Sequence, residues 1–226
     1  MSEKIGIFGG TFNPVHSGHL HAAEEVMTRF RLAEVLFVPS FIPPHKEIRG
    51  VASAEERLRM VQLAVAGRSG FVASGIEVEA RKRSYSVETL ARIKDARPEA
   101  LVFFILGVDA FLEIGTWREY DRLIEECRFI VMSRPGFHLE SARTVMGGRL
   151  EAKTAESPEG RPVDEEKLLR FRVFLAPIQA LDISSTDIRG RLRRGESIEG
   201  LVPETVRAFL IERKLYRDDK ESCLKN

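Results

Sequence analysis

The sequence predicts an α/β fold, a doubly wound, largely parallel sheet with helices on both faces. Three observations predict it. Short apolar runs recur along the chain, segments with helical spacing separate them, and the runs are apolar at successive rather than alternating positions. Strands apolar on both sides must be covered on both sides, and helical crossovers make neighbouring strands parallel. In such sheets ligands collect at the carboxyl ends of the strands. With 226 residues and 43% hydrophobic content, the chain reads as one domain over 1–217, with the polar 218–226 as a fraying tail.

The first strand is KIGIF (4–8), followed by Gly9 and Gly10, which permit a tight turn and a close backbone approach to a ligand. A helix follows from about Gly18 through HLHAAEEVMTRF, and EVLFVP (34–39) is the second strand. AEERLRMVQLAVAG (54–67) is a helix whose Leu58, Val61, Leu63, Val65 and Ala66 make one apolar face; Ser53 and Glu56 form a capping box and Gly67 is the stop. FVASGIEV (71–78) is the third strand, and RKRSYSVETL (81–90) opens a helix at Tyr85 and Ser86. LVFFILG (101–107), RFIVMS (128–133) and RVFLA (172–176) complete the strands. Between the last two, Pro135 to Leu168 breaks the rhythm. ESARTVMGGRLEA is compatible with a helix and KTAESPEGRPVDEE is turn-rich, so the stretch reads as a surface insertion without assignable chemistry. The final motif helix begins near Asp187, with Ser185 or Thr186 as its cap.

Lysine and arginine total 35 against 34 acids, a net charge of +1, which excludes a strongly basic polymer-binding surface. Cys127 and Cys223 form no C-x-x-C pair and read as reduced thiols. No apolar run of about 18 residues and no signal-peptide core occurs, so the expectation is an unprocessed cytoplasmic protein without a membrane or nucleic-acid partner. A homo-oligomer is left open.

The chemistry concentrates in GGTFNPVHSGHL (9–20). It is neither G-x-G-x-x-G nor G-x-x-x-x-G-K-[ST], so a dinucleotide fingerprint and a P-loop are both unsupported. His16 and His19, three apart across a helix start, can point the same way and donate hydrogen bonds to a phosphate whose charge grows during displacement. In that role they replace a cation. Two other readings stay open: one histidine caps the helix while the other is a core or surface residue, or His16, His19 and His21 bind a metal. The second ranks lower because the motif holds no Asp, Glu or Cys.

LDISSTDIRGRLRRGES (181–197) is the second constellation. A capped helix start offers N–H groups and hydroxyls to an anion, with Arg189 one turn inside. Alone, it reads equally well as an ordinary helix with Ile188 and Leu192 inward and Arg191, Arg193 and Arg194 solvated.

GGTFNPVHSGHL resembles the G-x-F-x-P-x-H-x-G-H signature of the nucleotidyltransferase superfamily of α/β phosphodiesterases, and ISSTDIR resembles its accompanying I-S-S-T-x-I-R motif. PPHK (43–46), SYS (84–86), GVD (107–109), TWREY (116–120) and SRPG (133–136) are similar to the bacterial nicotinate-nucleotide adenylyltransferase family, over nearly the full chain. The resemblance implies a Rossmann-like fold that joins the AMP of ATP to nicotinate mononucleotide, giving deamido-NAD and pyrophosphate. By the same resemblance, His16, His19 and Arg189 are catalytic. ATP is met by Gly9, Gly10, Thr11, Phe12, His16, His19, Asp109, Ile183, Ser184, Ser185 and Arg189. The mononucleotide is met by His45, Lys46, Tyr85, Ser86, Asp109 and Trp117, with Trp117 stacked on the pyridine and amides around Ser86 and Trp117 at its carboxylate. Where the family usually has Thr, this chain has Ser86, which keeps a hydroxyl.

Mg2+ is expected to arrive with ATP, since neither motif carries a carboxylate cluster. Competing readings are a nicotinamide-mononucleotide adenylyltransferase, a non-catalytic nucleotide sensor and an RNA-binding module resting on RGRLRR alone. A pantetheine-phosphate adenylyltransferase is disfavoured because its first motif has Thr where His16 stands.

Overall fold

The computed structural model describes residues 2–42, 50–179 and 181–217. Its sheet has seven strands: β1 (Lys4–Gly10), β2 (Glu34–Pro39), β3 (Phe71–Ala73), β4 (Leu101–Gly107), β5 (Arg128–Met132), β6 (Thr154–Glu156) and β7 (Val173–Ala176). The order is β3-β2-β1-β4-β5-β7-β6, and every neighbouring pair is parallel. From β1 the chain winds outward to β2 and β3; it then returns to β4 and winds the other way. The strand order therefore reverses between β1 and β4, and the crevice at their carboxyl ends is where an open α/β sheet receives a ligand.

Both faces are covered, as doubly apolar strands require. Successive residues of one strand enter opposite cores: Phe8, Phe103 and Phe174 belong to one buried cluster, Ile7, Phe104 and Leu175 to the other. The first cluster packs under α1 (Ser17–Phe30), α2 (Ala54–Val65), α7 (Ser185–Arg194) and α8 (Glu204–Glu212). The second packs under α3 (Ser86–Ala96), α4 (Val108–Leu112) and α5 (Tyr120–Glu126). The Ser53–Glu56 capping box of α2 is formed in both directions, at 3.1 and 3.0 Å.

Three local expectations are corrected. Gly9 and Gly10 make no turn; they end β1 and pair with Val38 and Pro39, and the chain turns later, at Phe12, whose φ is +49°. The third strand stops at Ala73, because Ser74 and Gly75 turn the chain there, with the Ser74 hydroxyl accepting the Ile76 N–H. The helix α7 starts at Ser185 with Ser184 as its cap, so Ser185 and Thr186 lie inside it.

The stretch 135–168 is more than a surface insertion. It supplies β6, which pairs with β7 at the sheet edge, and it buries Ala142, Val145 and Leu150 in one core and Val163 and Leu168 in the other. Leu139–Gly148 winds as a 3-10 helix rather than an α-helix. Its scattered apolar residues had too little periodicity to be read as core, yet they close the open edge beside β7. Arg29 fixes this stretch from α1: buried, it donates to the Ser157 carbonyl at 3.0 Å and to the Pro177 carbonyl at 2.6 Å. A short helix α6 (Glu165–Arg170) leads into β7.

Candidate active site

The loop from β1 into α1 lies at the switch point. A Cβ built on Gly9 would meet nothing within 4 Å, so no neighbour within the fold demands glycine there, and the space above it is open to a ligand. Phe12 turns into the left-handed region and buries its ring edge-on against His19, 5.1 Å between centroids. His16 is the extended N-cap residue of α1, and its N–H donates to His19 Nδ1 at 3.2 Å. Because that nitrogen accepts, a neutral His19 carries its proton on Nε2, at the far tip of the ring.

The two imidazoles lie 3.7 Å apart between centroids with a 35° interplanar angle. Gly18 permits this: a Cβ there would stand 3.1 Å from His16 Nδ1. Burial, and then the positive charge of Arg134, push the His16 pKa down to about 4. His16 is therefore uncharged at neutral pH. It carries no fixed positive charge of the kind the sequence suggests, because a buried imidazolium in contact with a second ring would be poorly solvated. Its Nδ1 is buried without a hydrogen-bond partner among the described residues.

Positive charge comes from arginines. Arg134, after β5, reaches Asp109 Oδ2 with its Nε at 3.4 Å. Asp109 sits in the first turn of α4 at the end of β4, its carboxylate lying close over Gly107. Arg189, on α7, donates to the Asn13 carbonyl at 2.8 Å, and the Ser185 hydroxyl donates to the Pro14 carbonyl at 2.8 Å. Ser184 Oγ accepts from the Asp187 N–H at 3.1 Å. Ile183 lies beside Gly18. The two sequence motifs thus touch directly, although their bonded partners stand 171 and 176 positions apart.

A second group lies over the other face. Tyr85 caps α3 and Ser86 is its first residue, where the leading amides have no intrahelical acceptor. The Arg118 guanidinium covers the Tyr85 ring at 4.8 Å. Trp117 is half-buried against the same core, and its own N–H donates to the Ile114 carbonyl at 3.0 Å. That amide is committed to a turn, so a carboxylate would have to use neighbouring donors. His45 and Lys46 lie outside the described residues.

Four residues were missed. Arg134 was quoted inside SRPG without a role. Arg57, Asn13 and Tyr216 hold the loop from behind: Asn13 Oδ1 accepts from the Ala52 N–H and the Tyr216 hydroxyl, and its Nδ2 donates to the Gly50 carbonyl. Of these three only Asn13 carried any signal, by lying inside the motif. Among the described residues no group of three or more His, Cys, Asp or Glu is placed to hold a metal, and His21 stands 4.0 Å from Glu25 instead. A cavity of about 720 Å3 lies elsewhere, on the flank of α1 beside Glu159 and Pro177, and contains none of the motif residues.

Residues 7–191 match the family described as cytidylyltransferase-like. A protein of Geotalea uraniireducens named "Probable nicotinate-nucleotide adenylyltransferase" is 43% identical over 219 residues, covering 95% of this chain and 99% of its own. One of the same name from Moorella thermoacetica is 42% identical over 216 residues, covering 95% and 92%. Among solved structures, the nicotinic acid mononucleotide adenylyltransferase of Plasmodium falciparum in complex with NaAD superposes with a TM-score of 0.67 at 19% identity, over 95% of this chain and 97% of that one. A Vibrio parahaemolyticus structure gives 0.63 at 22% identity, over 96% of each. At those identities the structures establish the fold.

Proposed function

The chain belongs to the nicotinate-nucleotide adenylyltransferases of the cytidylyltransferase-like family, and from that premise we propose how its residues divide the work. The reaction is adenylyl transfer in NAD biosynthesis. The 5′-phosphate of nicotinate mononucleotide attacks the α-phosphorus of ATP; a new P–O bond forms as the bond to the β-phosphate breaks, and deamido-NAD and pyrophosphate result. The attacking phosphate is already anionic, so no general base is needed, and catalysis reduces to positioning and charge stabilisation.

His19 donates from Nε2 to an α-phosphate oxygen, and the neutral His16 donates beside it, leaving net positive charge to Arg134 and Arg189. The start of α7, with Ser184 and Ser185, receives the terminal phosphates, and Gly9, Gly10, Thr11, Phe12 and Ile183 line the triphosphate path. Asp109 accepts from ribose. Trp117, Tyr85 and Ser86 take the pyridine and its carboxylate, with His45 and Lys46 assigned to the mononucleotide phosphate. Mg2+ enters with ATP as part of the substrate, and the reaction runs in the cytoplasm; among the described residues no helix is long and apolar enough to cross a membrane.

The observation that carries this reading is the stitching of the ISST helix to the histidine loop by Arg189 and Ser185, at the switch point of the sheet. The test is pyrophosphate release from Mg-ATP with nicotinate and nicotinamide mononucleotides in parallel. Preference for the acid is expected. Preference for the amide would overturn the pyridine assignment, and ATP binding without release from either would make the chain a sensor.

A further inference from the structure

Among the described residues Arg57 is the largest of the fully buried side chains, and carbonyls hold it rather than a carboxylate. Its Nε donates to the Ala52 carbonyl at 3.0 Å, Nη1 to the Thr11 carbonyl at 2.9 Å and Nη2 to the Phe41 carbonyl at 3.0 Å. Removing a guanidinium from water is costly, and burial pulls its pKa below the ordinary value. What it gains is geometry: the planar fork of donors joins backbone segments that share no secondary structure.

Those segments belong to different parts of the reaction. Thr11 lies in the loop that carries the histidines, and Ala52 donates its own N–H to Asn13 Oδ1 at 3.0 Å in the same loop. Phe41 follows β2, and its N–H donates to Ser84 Oγ at 3.0 Å. Ser84 directly precedes Tyr85 and Ser86 at the opening of α3. One turn into that helix, the Thr89 hydroxyl donates to Glu77 Oε1 at 2.6 Å. A continuous polar path therefore runs from the phosphate-facing loop through one guanidinium to the pyridine-facing helix.

We propose that Arg57 is a positioning residue for adenylyl transfer, setting the loop of Thr11 and Asn13 against the start of α3 so that the two substrates meet in line. The proposal rests on the adenylyltransferase reading. In-line displacement is sensitive to small misplacement, about 1 Å costing on the order of a hundredfold, and a single group fixed to both half-sites limits that error. Arg57 touches neither substrate; it acts through the carbonyls it holds.

Arg57→Lys keeps the charge and loses the fork, and Ser84→Ala cuts the path at a less buried residue. For each variant, kcat and both KM values are measured by pyrophosphate release, at a temperature where circular dichroism shows the protein folded. Arg57→Lys should lower kcat/KM roughly tenfold or more, with KM raised for both substrates. Ser84→Ala should raise KM for nicotinate mononucleotide severalfold while KM for ATP moves by less than about twofold. A residue that only held the fold together would lower stability and the folded fraction and leave both KM values unchanged; that result in folded variants overturns the proposal while the activity stands. If Arg57→Lys fails to fold, Ser84→Ala decides alone, and an unchanged mononucleotide KM overturns it. A wild-type protein that releases no pyrophosphate refutes the activity reading, and the proposal falls with it.

Discussion

His16 should make this protein acid-sensitive in a window that can be calculated. In the fold its pKa is pushed down from 6.5 to about 4 by burial and by Arg134. The unfolded chain then binds a proton at this position between those two values and the folded chain does not, so stability rises with pH across the window. The contribution is complete above about pH 6.5 and is lost as pH falls toward 4. A shift of this size corresponds to about 3 kcal/mol once both states are protonated, and to about 2 kcal/mol between pH 7 and pH 5. Other groups titrate in the same range, so the difference between the wild type and His16→Asn isolates the effect. Asn keeps a good N-cap and carries no titratable group. Urea unfolding of both proteins from pH 7.5 to pH 4.5 should show the wild type losing about 2 kcal/mol more than the variant by pH 5. Parallel profiles would refute a desolvated His16 with a lowered pKa.

Other consequences are quicker to check. Gly9→Ala meets no atom within 4 Å, so melting temperature should stay nearly unchanged while KM for ATP rises; normal ATP kinetics would show that no phosphate lies close to this residue. His19→Ala should reduce kcat by roughly two orders of magnitude, the scale of removing one preorganised donor, and unchanged turnover in the folded variant would remove His19 from the mechanism. Tyr216→Phe deletes the hydroxyl that donates to Asn13 Oδ1 and should cost about 1 kcal/mol of stability in denaturant unfolding; a neutral effect would mean that Asn13 is adequately held by the Ala52 and Gly50 backbone.

The division between what the chain announces and what only folding reveals follows the range of the interactions involved. The strands cored by Phe8, Phe103 and Phe129, the capping box of Ser53 and Glu56, and the helix starts at Ser17 and Ser86 depend on neighbours within about one turn or one pleat. Such features can be read along the sequence, and the motif residues came with them. Strand β6 depends on pairing with a strand 19 positions away, and its own three residues carry no pattern long enough to read. Arg57 sits 46 positions from the Thr11 carbonyl it holds, and Tyr216 lies 203 positions from Asn13. Nothing local distinguishes either from a surface arginine or a tail tyrosine. Charge state is likewise a tertiary property: His16 is neutral because burial removes water from it and the Arg134 charge opposes a second positive charge, a condition no spacing of residues records. The sequence by itself determined which chemistry was present and on which elements. The tertiary structure decided which of those groups carry charge, where the His19 proton sits and what holds the site in register, because burial and long-range hydrogen bonds exist only once distant segments are packed together.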